Sequence, residues 1–362
     1  MINLRKIISI FLVILLCGCS FNKKDLQVFD DYTITAGFDT IISYQLYAKN
    51  EDEFSEEVRK ANILFLHYHQ LFDKYNNYDI NNIKTINDNA GIQPVVVDQE
   101  IIDLLHLSKQ YSELSNYQFD ITMGSVLKIW HDVREKALNE ENYSLPTQNE
   151  LKQASVCSGW DKVIIDDEKN TVYLSEPCMS LDVGAVAKGY ATQKVSEMLI
   201  NDGFVNGYVN AGGNLQFLGP KINGDPYRSG ILAPTLNNSS SSLIVIPIDE
   251  ITSFVTSGDY QRYFLHENEI MHHIIDPDTL YPSKHARSIT IITKDSGLAD
   301  ILSTTLYTMT YQEGLQFIEN VQSKGIELEV IWIYDNLEEI KDENYSIIDE
   351  YYVLSTNQNY LK

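Results

Sequence analysis

The sequence predicts an α+β fold, on three observations. Strand-like and helical runs are mixed without the strict βαβ alternation that marks a doubly wound sheet. The 362 residues suit one large domain or two closely joined ones, and neither a fixed-period repeat nor a long linker divides them. Apolar residues make up 44% of the chain, the ordinary share for a globular protein with a substantial core.

The elements follow in order. Residues 20–30 read as a short polar tether, and 32–48 (YTITAGFDTIISYQLYA) as a strand pair. From residue 52 to about 75, Val58, Ala61, Leu64, Phe65, Tyr68, Leu71 and Phe72 recur at helical spacing. Further helices are predicted over 99–115 and 122–138. In 160–174 (WDKVIIDDEKNTVYL) two strand-like runs flank a polar turn at 166–169, a hairpin pattern. The stretch 181–195 (LDVGAVAKGYATQKV) opens a helix through about residue 200. Residues 204–219 alternate like a strand and break at a glycine pair, and 236–242 (LNNSSSS) form a flexible loop tip. Strands are predicted at 243–248, 253–264 and 288–293, helices at 297–309 and near 312–321, a strand at 327–334 and an edge strand at 349–357.

The formal charge is −24, from 51 acidic and 27 basic residues. Such a surface repels nucleic acid and anionic lipid, so neither is expected as a partner. An anionic substrate would need a local device, such as a metal ion or backbone amides.

At the N-terminus, Arg5 and Lys6 precede the apolar run 7–16 and then Cys17-Gly18-Cys19. A basic start, a short apolar stretch and small residues make a secretory signal, too short for an ordinary spanning helix. The segment resembles a bacterial lipobox. Residues 1–18 are then the lipoprotein signal peptide, Cys19 the lipidated residue, 19–30 the tether and 31–362 a single catalytic domain. An uncleaved anchor helix is the other reading, and both place the body of the protein outside the cytoplasm. Cys157 and Cys178 are then the only cysteines of the mature domain. A hairpin centred on 166–169 would set them opposite each other, within reach of a cross-strand disulfide; a slip of one residue would put them on opposite faces.

Several stretches carry candidate chemistry. The glycines of 181–195 suggest a phosphate loop, but Lys188 precedes Gly189, whereas the Walker pattern has its lysine after the second glycine. In 209–217 (VNAGGNLQF), paired glycines fit a tight turn, a bulge or a close approach to a ligand. Thr256, Ser257 and Gly258 fit an anion-binding nest with Arg262 nearby, or a polar turn between strands. In 271–285 (MHHIIDPDTLYPSKH), a histidine three residues before Asp276 suits a general base with its tautomer fixed by a carboxylate. Zinc-like histidine spacing is missing there. On the helix 297–309, Asp300, Ser303 and Thr304 share a face, and such oxygen donors suit a hard ion like Mg²⁺. Residues 118–130 (QFDITMGSVLKIW) place an acid among aromatic and small residues, suited to a flat ring.

Taken in series, FDKYN, FDITMG with its following tryptophan, LDVGAVAKGYA, VNAGGNL, TSGDYQRYF, HIIDP and LADILSTTL resemble the FAD:protein FMN transferases of the ApbE family, over nearly the whole mature chain. The resemblance implies an ApbE-like, T-fold-like arrangement of mixed and antiparallel sheets with packed helices. It implies an enzyme that binds FAD, uses Mg²⁺ and transfers FMN to a Thr or Ser hydroxyl of an acceptor protein through a phosphoester, releasing AMP. The acceptors include flavoprotein subunits of membrane redox complexes. By motif, Ala36, Tyr75, Gln118, Phe119, Asp120, Asp182, Lys188 and Ile275 would bind FAD. Ala185, through its carbonyl, with Asp300, Ser303 and Thr304, would hold Mg²⁺, and His273 would be the base. Two departures stand out. Leu280 follows Thr279 where the family has glycine, so a different turn is expected, and Ala36-Gly37 replaces Met-Gly. An Mg²⁺-dependent FAD pyrophosphatase and a non-catalytic FAD-binding lipoprotein are the alternatives.

Overall fold

The computed structural model describes residues 26–236, 241–337, 340 and 344–361. The signal peptide, Cys19 and residues 237–240 of the loop at 236–242 lie outside the described residues.

The chain opens with β1 (Gln27–Thr33), which begins inside the stretch read as a tether and pairs antiparallel with β2 (Ile42–Ala48), Thr33 opposite Ile42. Helix α1 (Glu51–Phe72) starts where the Asn50 side chain accepts from the Glu53 amide at 2.9 Å, with Glu51, Asp52 and Glu53 at the positive end of the helix dipole. Next come α2 (Ile83–Asp88), β3 (Val95–Val96), α3 (Gln99–Leu114), α4 (Gly124–Leu138) and α5 (Gln148–Ser155). The predicted hairpin is β4 (Val163–Asp166) and β5 (Thr171–Leu174). Helix α6 (Ala187–Asn201) precedes β6 (Gly207–Ala211), β7 (Asn214–Gly219), β8 (Tyr227–Leu232), β9 (Ser242–Ile248) and β10 (Thr252–Gly258). The hairpin of β11 (Tyr263–His266) and β12 (Glu269–His272) leads to β13 (Ser288–Thr293). The chain ends with α7 (Ser296–Tyr307), α8 (Tyr311–Gln322), β14 (Leu328–Tyr334), β15 (Ser346–Ile348) and β16 (Tyr351–Ser355).

Among the described residues, a nine-stranded antiparallel sheet runs in the order β1-β2-β6-β7-β10-β13-β14-β16-β15. Its two faces are read from strand alternation. Val255, Ile289, Ile291, Val330 and Trp332 face the main core under α6 and α7. Phe254, Ile292, Ile331, Ile333 and Val353 join Ile231, Ile244 and Ile246 of the β8–β9 hairpin on the other face. A third cluster joins α4 and α5 to the β11–β12 hairpin through Trp130, Leu151, Phe264, Met271 and Ile275. Among the described residues, no helix is long and apolar enough to cross a membrane.

Four expectations change. The run 253–264 divides between β10, in the large sheet, and β11, in a separate two-stranded sheet. The strand at 349–357 is not the edge, because β16 pairs with both β14 and β15. Helices α2 and α5, too short for their periodicity to stand out, went unpredicted. Cys157 and Cys178 are bridged, with Cα atoms 5.5 Å apart, but both lie beyond the β4–β5 ladder, so the disulfide is not a cross-strand one.

Candidate active site

The segment 180–188 is held on one side by a parallel bridge between Met123 and Ser180 and by the Asp182 amide on the Ile121 carbonyl at 2.8 Å. Asp182 Oδ1 accepts from the Gly184 amide at 3.0 Å, closing a tight turn, and Oδ2 pairs with the Lys74 ammonium. The Val186 and Ala187 amides then bond to the Val183 carbonyl, and α6 begins. The Gly189 amide, in the first turn of α6, does not close on Ala185; it donates to Asp300 Oδ2 on α7 at 2.8 Å. Among the described residues, the Ala185 carbonyl has no hydrogen-bond partner.

Asp300 and Thr304 are one helical turn apart on α7, and both line the same cavity as Ala185. The expected donors of Ala185, Asp300 and Thr304 therefore converge. Ser303 does not join them. It is fully buried outside the lining, accepting from the Ser257 hydroxyl at 2.9 Å and donating to the Asp300 carbonyl at 3.0 Å. Among the described residues no group of three or more His, Cys, Asp or Glu side chains could hold a metal. One carboxylate with neutral oxygens fits Mg²⁺, which takes few protein ligands and keeps water and phosphate in the rest of its shell.

The cavity measures about 310 Å³. Its lining includes Tyr75, Gln118, Phe119, Asp120, Asp182, Lys188, His273 and Ile275, all expected from the sequence, and Gly212-Gly213 at the tip of the β6–β7 hairpin. Both glycines have positive φ (+56° and +98°), as a two-residue hairpin turn requires, so the tight-turn reading of VNAGGNL holds and the turn also faces the cavity. Gln118 is fixed by its side-chain Nε2, which donates to Asp278 at 2.8 Å, and by its main-chain carbonyl, which accepts from Thr308 Oγ1 at 2.9 Å. Tyr75 is half exposed and its ring tilts against His131 at 5.4 Å. Burial pushes the Asp120 carboxyl up, despite the opposing Thr122 amide. Burial also raises Asp182, but the Lys74 ammonium and the Gly184 amide outweigh it and hold that carboxyl below the usual range. Ala36 is not in the lining; it is buried in the main core, and Thr40 of the same loop reaches the cavity instead.

The histidine pair divides its labour. His272 is buried, with Nε2 donating to the Ser283 carbonyl at 2.6 Å and Nδ1 accepting from the Ile274 amide at 3.2 Å. Its imidazole is a satisfied structural group. His273 lines the cavity, and its Nδ1 has no hydrogen-bond partner. Burial, Arg262, His272, Arg134 and Lys188 hold its pKa well below the usual value, so its imidazole is neutral at neutral pH. Asp276 does not orient it: its oxygens accept from the Asp278 amide at 2.8 Å and the Thr279 hydroxyl at 3.0 Å, building the turn. Nor does that turn depart from one a glycine would make. Leu280 itself adopts the left-handed conformation (φ +63°), held because its amide bonds to the Asp276 carbonyl and its carbonyl accepts from Trp130 Nε1, both at 2.8 Å.

Thr256, Ser257 and Gly258 do not form a nest. They are strand residues registered against Thr290, Ile289 and Ser288 of β13, although they line the cavity. The cavity's positive charge comes from Lys74, Arg134, Lys188 and Arg262, set against Asp120, Asp182 and Asp300. Lys74, His131 and Arg134 were not anticipated. Lys74 adjoins Tyr75 within FDKYN, and Arg134 lies one helical turn after Trp130, the signals that could have found them.

The profile of the ApbE family matches residues 38–330. The chain is 30% identical over 233 residues to the FAD:protein FMN transferase of Klebsiella pneumoniae (strain 342), covering 64% of this chain and 69% of that one. It is 30% identical over 252 residues to the enzyme of the same name from Treponema pallidum (strain Nichols), covering 66% and 67%. Its fold superposes with TM-score 0.72 on an ApbE protein of Thermotoga maritima at 25% identity, covering 84% and 94% of the two chains. It also superposes with TM-score 0.72 on the flavin transferase ApbE of Vibrio cholerae at 20% identity, covering 92% and 98%.

Proposed function

The chain belongs to the ApbE family and is by homology an FAD:protein FMN transferase, and on that premise we propose how its residues carry out the transfer. The reaction moves the FMN half of FAD to a Thr or Ser hydroxyl of an acceptor flavoprotein through a phosphoester. The acceptor oxygen forms a bond to the FMN phosphorus, the bond from that phosphorus to the bridging oxygen breaks, and AMP leaves with that oxygen. The hydroxyl proton passes to the His273 imidazole. Phosphoryl transfer depends on in-line positioning and charge neutralisation more than on covalent help.

The observation that carries the reading is the convergence of Ala185, Asp300, Thr304 and His273 on one cation-lined cavity in a protein of net charge −24. Bound Mg²⁺ would be held by the Ala185 carbonyl, Asp300 and Thr304, and would supply charge neutralisation at the pyrophosphate. Lys188, Arg134 and Arg262 add positive charge around His273. Burial above all, and the same cations with it, hold the free imidazole unprotonated, ready to accept a proton. An arriving pyrophosphate offsets them and raises the basicity of His273 when the acceptor is in place. Tyr75, Gln118 and Phe119 line the wall suited to the flavin ring.

The enzyme is further proposed to work outside the cytoplasm, tethered through a lipid on Cys19, with a subunit of a membrane redox complex as acceptor. The Cys157–Cys178 disulfide supports an oxidising compartment. The test is incubation with FAD, Mg²⁺ and a candidate acceptor, followed by the intact mass of the acceptor. A gain equal to one FMN residue, with AMP released, is expected. Free FMN with an unmodified acceptor would make the protein a pyrophosphatase, and bound FAD without turnover would make it a carrier.

A further inference from the structure

After α1 the chain turns on Asp73, whose carboxylate accepts from the Tyr75 amide at 2.6 Å, the Tyr78 hydroxyl at 2.8 Å and the Asn76 side chain at 2.8 Å. That turn carries Lys74 into the cavity, where its ammonium meets Asp182 Oδ2. The two side chains are only 18% and 15% exposed, so water screens the pair poorly. The ammonium also lies 4.9 Å from the centroid of the Tyr75 ring. With Oδ1 on the Gly184 amide, both oxygens of Asp182 are committed within the protein. The turn they close leads directly into Ala185, whose carbonyl has no partner among the described residues.

We propose that Lys74 is a positioning residue: it fixes the Asp182 carboxylate, which fixes the 182–184 turn, which presents the Ala185 carbonyl to a divalent cation bound with FAD. The inference rests on the FAD reading above. Lys74 acts from behind the ligand shell, and removing such an outer partner typically weakens metal binding roughly 10–100-fold.

The probe is FAD fluorescence quenching, titrated at increasing Mg²⁺ on the wild type, Lys74→Met and Lys74→Arg. Wild type should bind FAD more tightly as Mg²⁺ rises. Lys74→Met should need roughly 10–100-fold more Mg²⁺ for the same gain, and Lys74→Arg, which keeps the charge, should restore most of it. Wild type with no Mg²⁺-dependent FAD binding would sink the functional reading itself. Wild type showing it, with Lys74→Met unchanged, would overturn the role of Lys74. Should the unpaired carboxylate unfold Lys74→Met, the comparison moves to Asp182→Asn against Lys74→Met/Asp182→Asn, neither of which buries a lone carboxylate. Equal Mg²⁺ dependence in that pair supports action through Asp182; a further loss in the double variant overturns it.

Discussion

Gly189 occupies the third position of α6, where intrinsic helix propensity favours alanine by about 1 kcal/mol. A Cβ there would stand 2.5 Å from the Asp300 Cβ and closer still to the Ser296 carbonyl oxygen. Carbon atoms pack at about 3.5–4 Å, so α6 and α7 would have to separate by about 1 Å. That would stretch the 2.8 Å bond from the Gly189 amide to Asp300 beyond hydrogen-bonding range. Overpacking costs about 1–3 kcal/mol, and a lost hydrogen bond to a charged group about 1.5–3 kcal/mol. After the propensity gain, Gly189→Ala should be destabilised by about 1.5–5 kcal/mol. Moving Asp300 by such a distance should lower turnover by on the order of 100-fold. Thermal unfolding and the acceptor-labelling assay measure the two effects. A variant that melts at or above wild type with undiminished turnover would refute the close-packed arrangement, because propensity alone would then have won.

Two further predictions concern the HHIIDPDTL segment. Leu280 holds a left-handed backbone that costs an L-residue about 1–2 kcal/mol, while its side chain is buried in the third cluster. Leu280→Ala should lose about 2–5 kcal/mol of packing. Leu280→Gly loses the same packing but is relieved of the strain that alanine retains, so it should melt no lower than the alanine variant, the reverse of the usual order. A glycine variant clearly below alanine would contradict the left-handed assignment. Burial pushes the His272 pKa down to about 4 from 6.5. Below pH 6.5 the unfolded chain takes a proton that the folded one refuses, so stability is lost as pH falls from about 6.5 to about 4, by about 3 kcal/mol in all. Denaturant melts across that range should show a slope shallower by one proton in His272→Gln; identical slopes would refute it.

The elements and the motif order were legible in the sequence because they are written locally. Helical spacing marks α1, alternation marks β6 and β7, and the glycine pair marks the turn between them. The oxygen donors on α7 were legible for the same reason, since a helix puts Asp300 and Thr304 on one face wherever it lies. Local pattern could not decide which of these side chains the cavity would receive. Ser303, adjacent to Thr304, turns its hydroxyl to Ser257, and Asp276, three residues after His273, turns to Thr279. Which of two neighbouring histidines stays unpartnered depends on Ser283, whose carbonyl takes His272. Lys74 and Asp182 are 108 positions apart, so no spacing rule joins them. The sequence by itself determined the elements and the order of the motifs. Only the tertiary structure decided their partners, because burial and hydrogen bonding are settled by whatever the fold brings alongside.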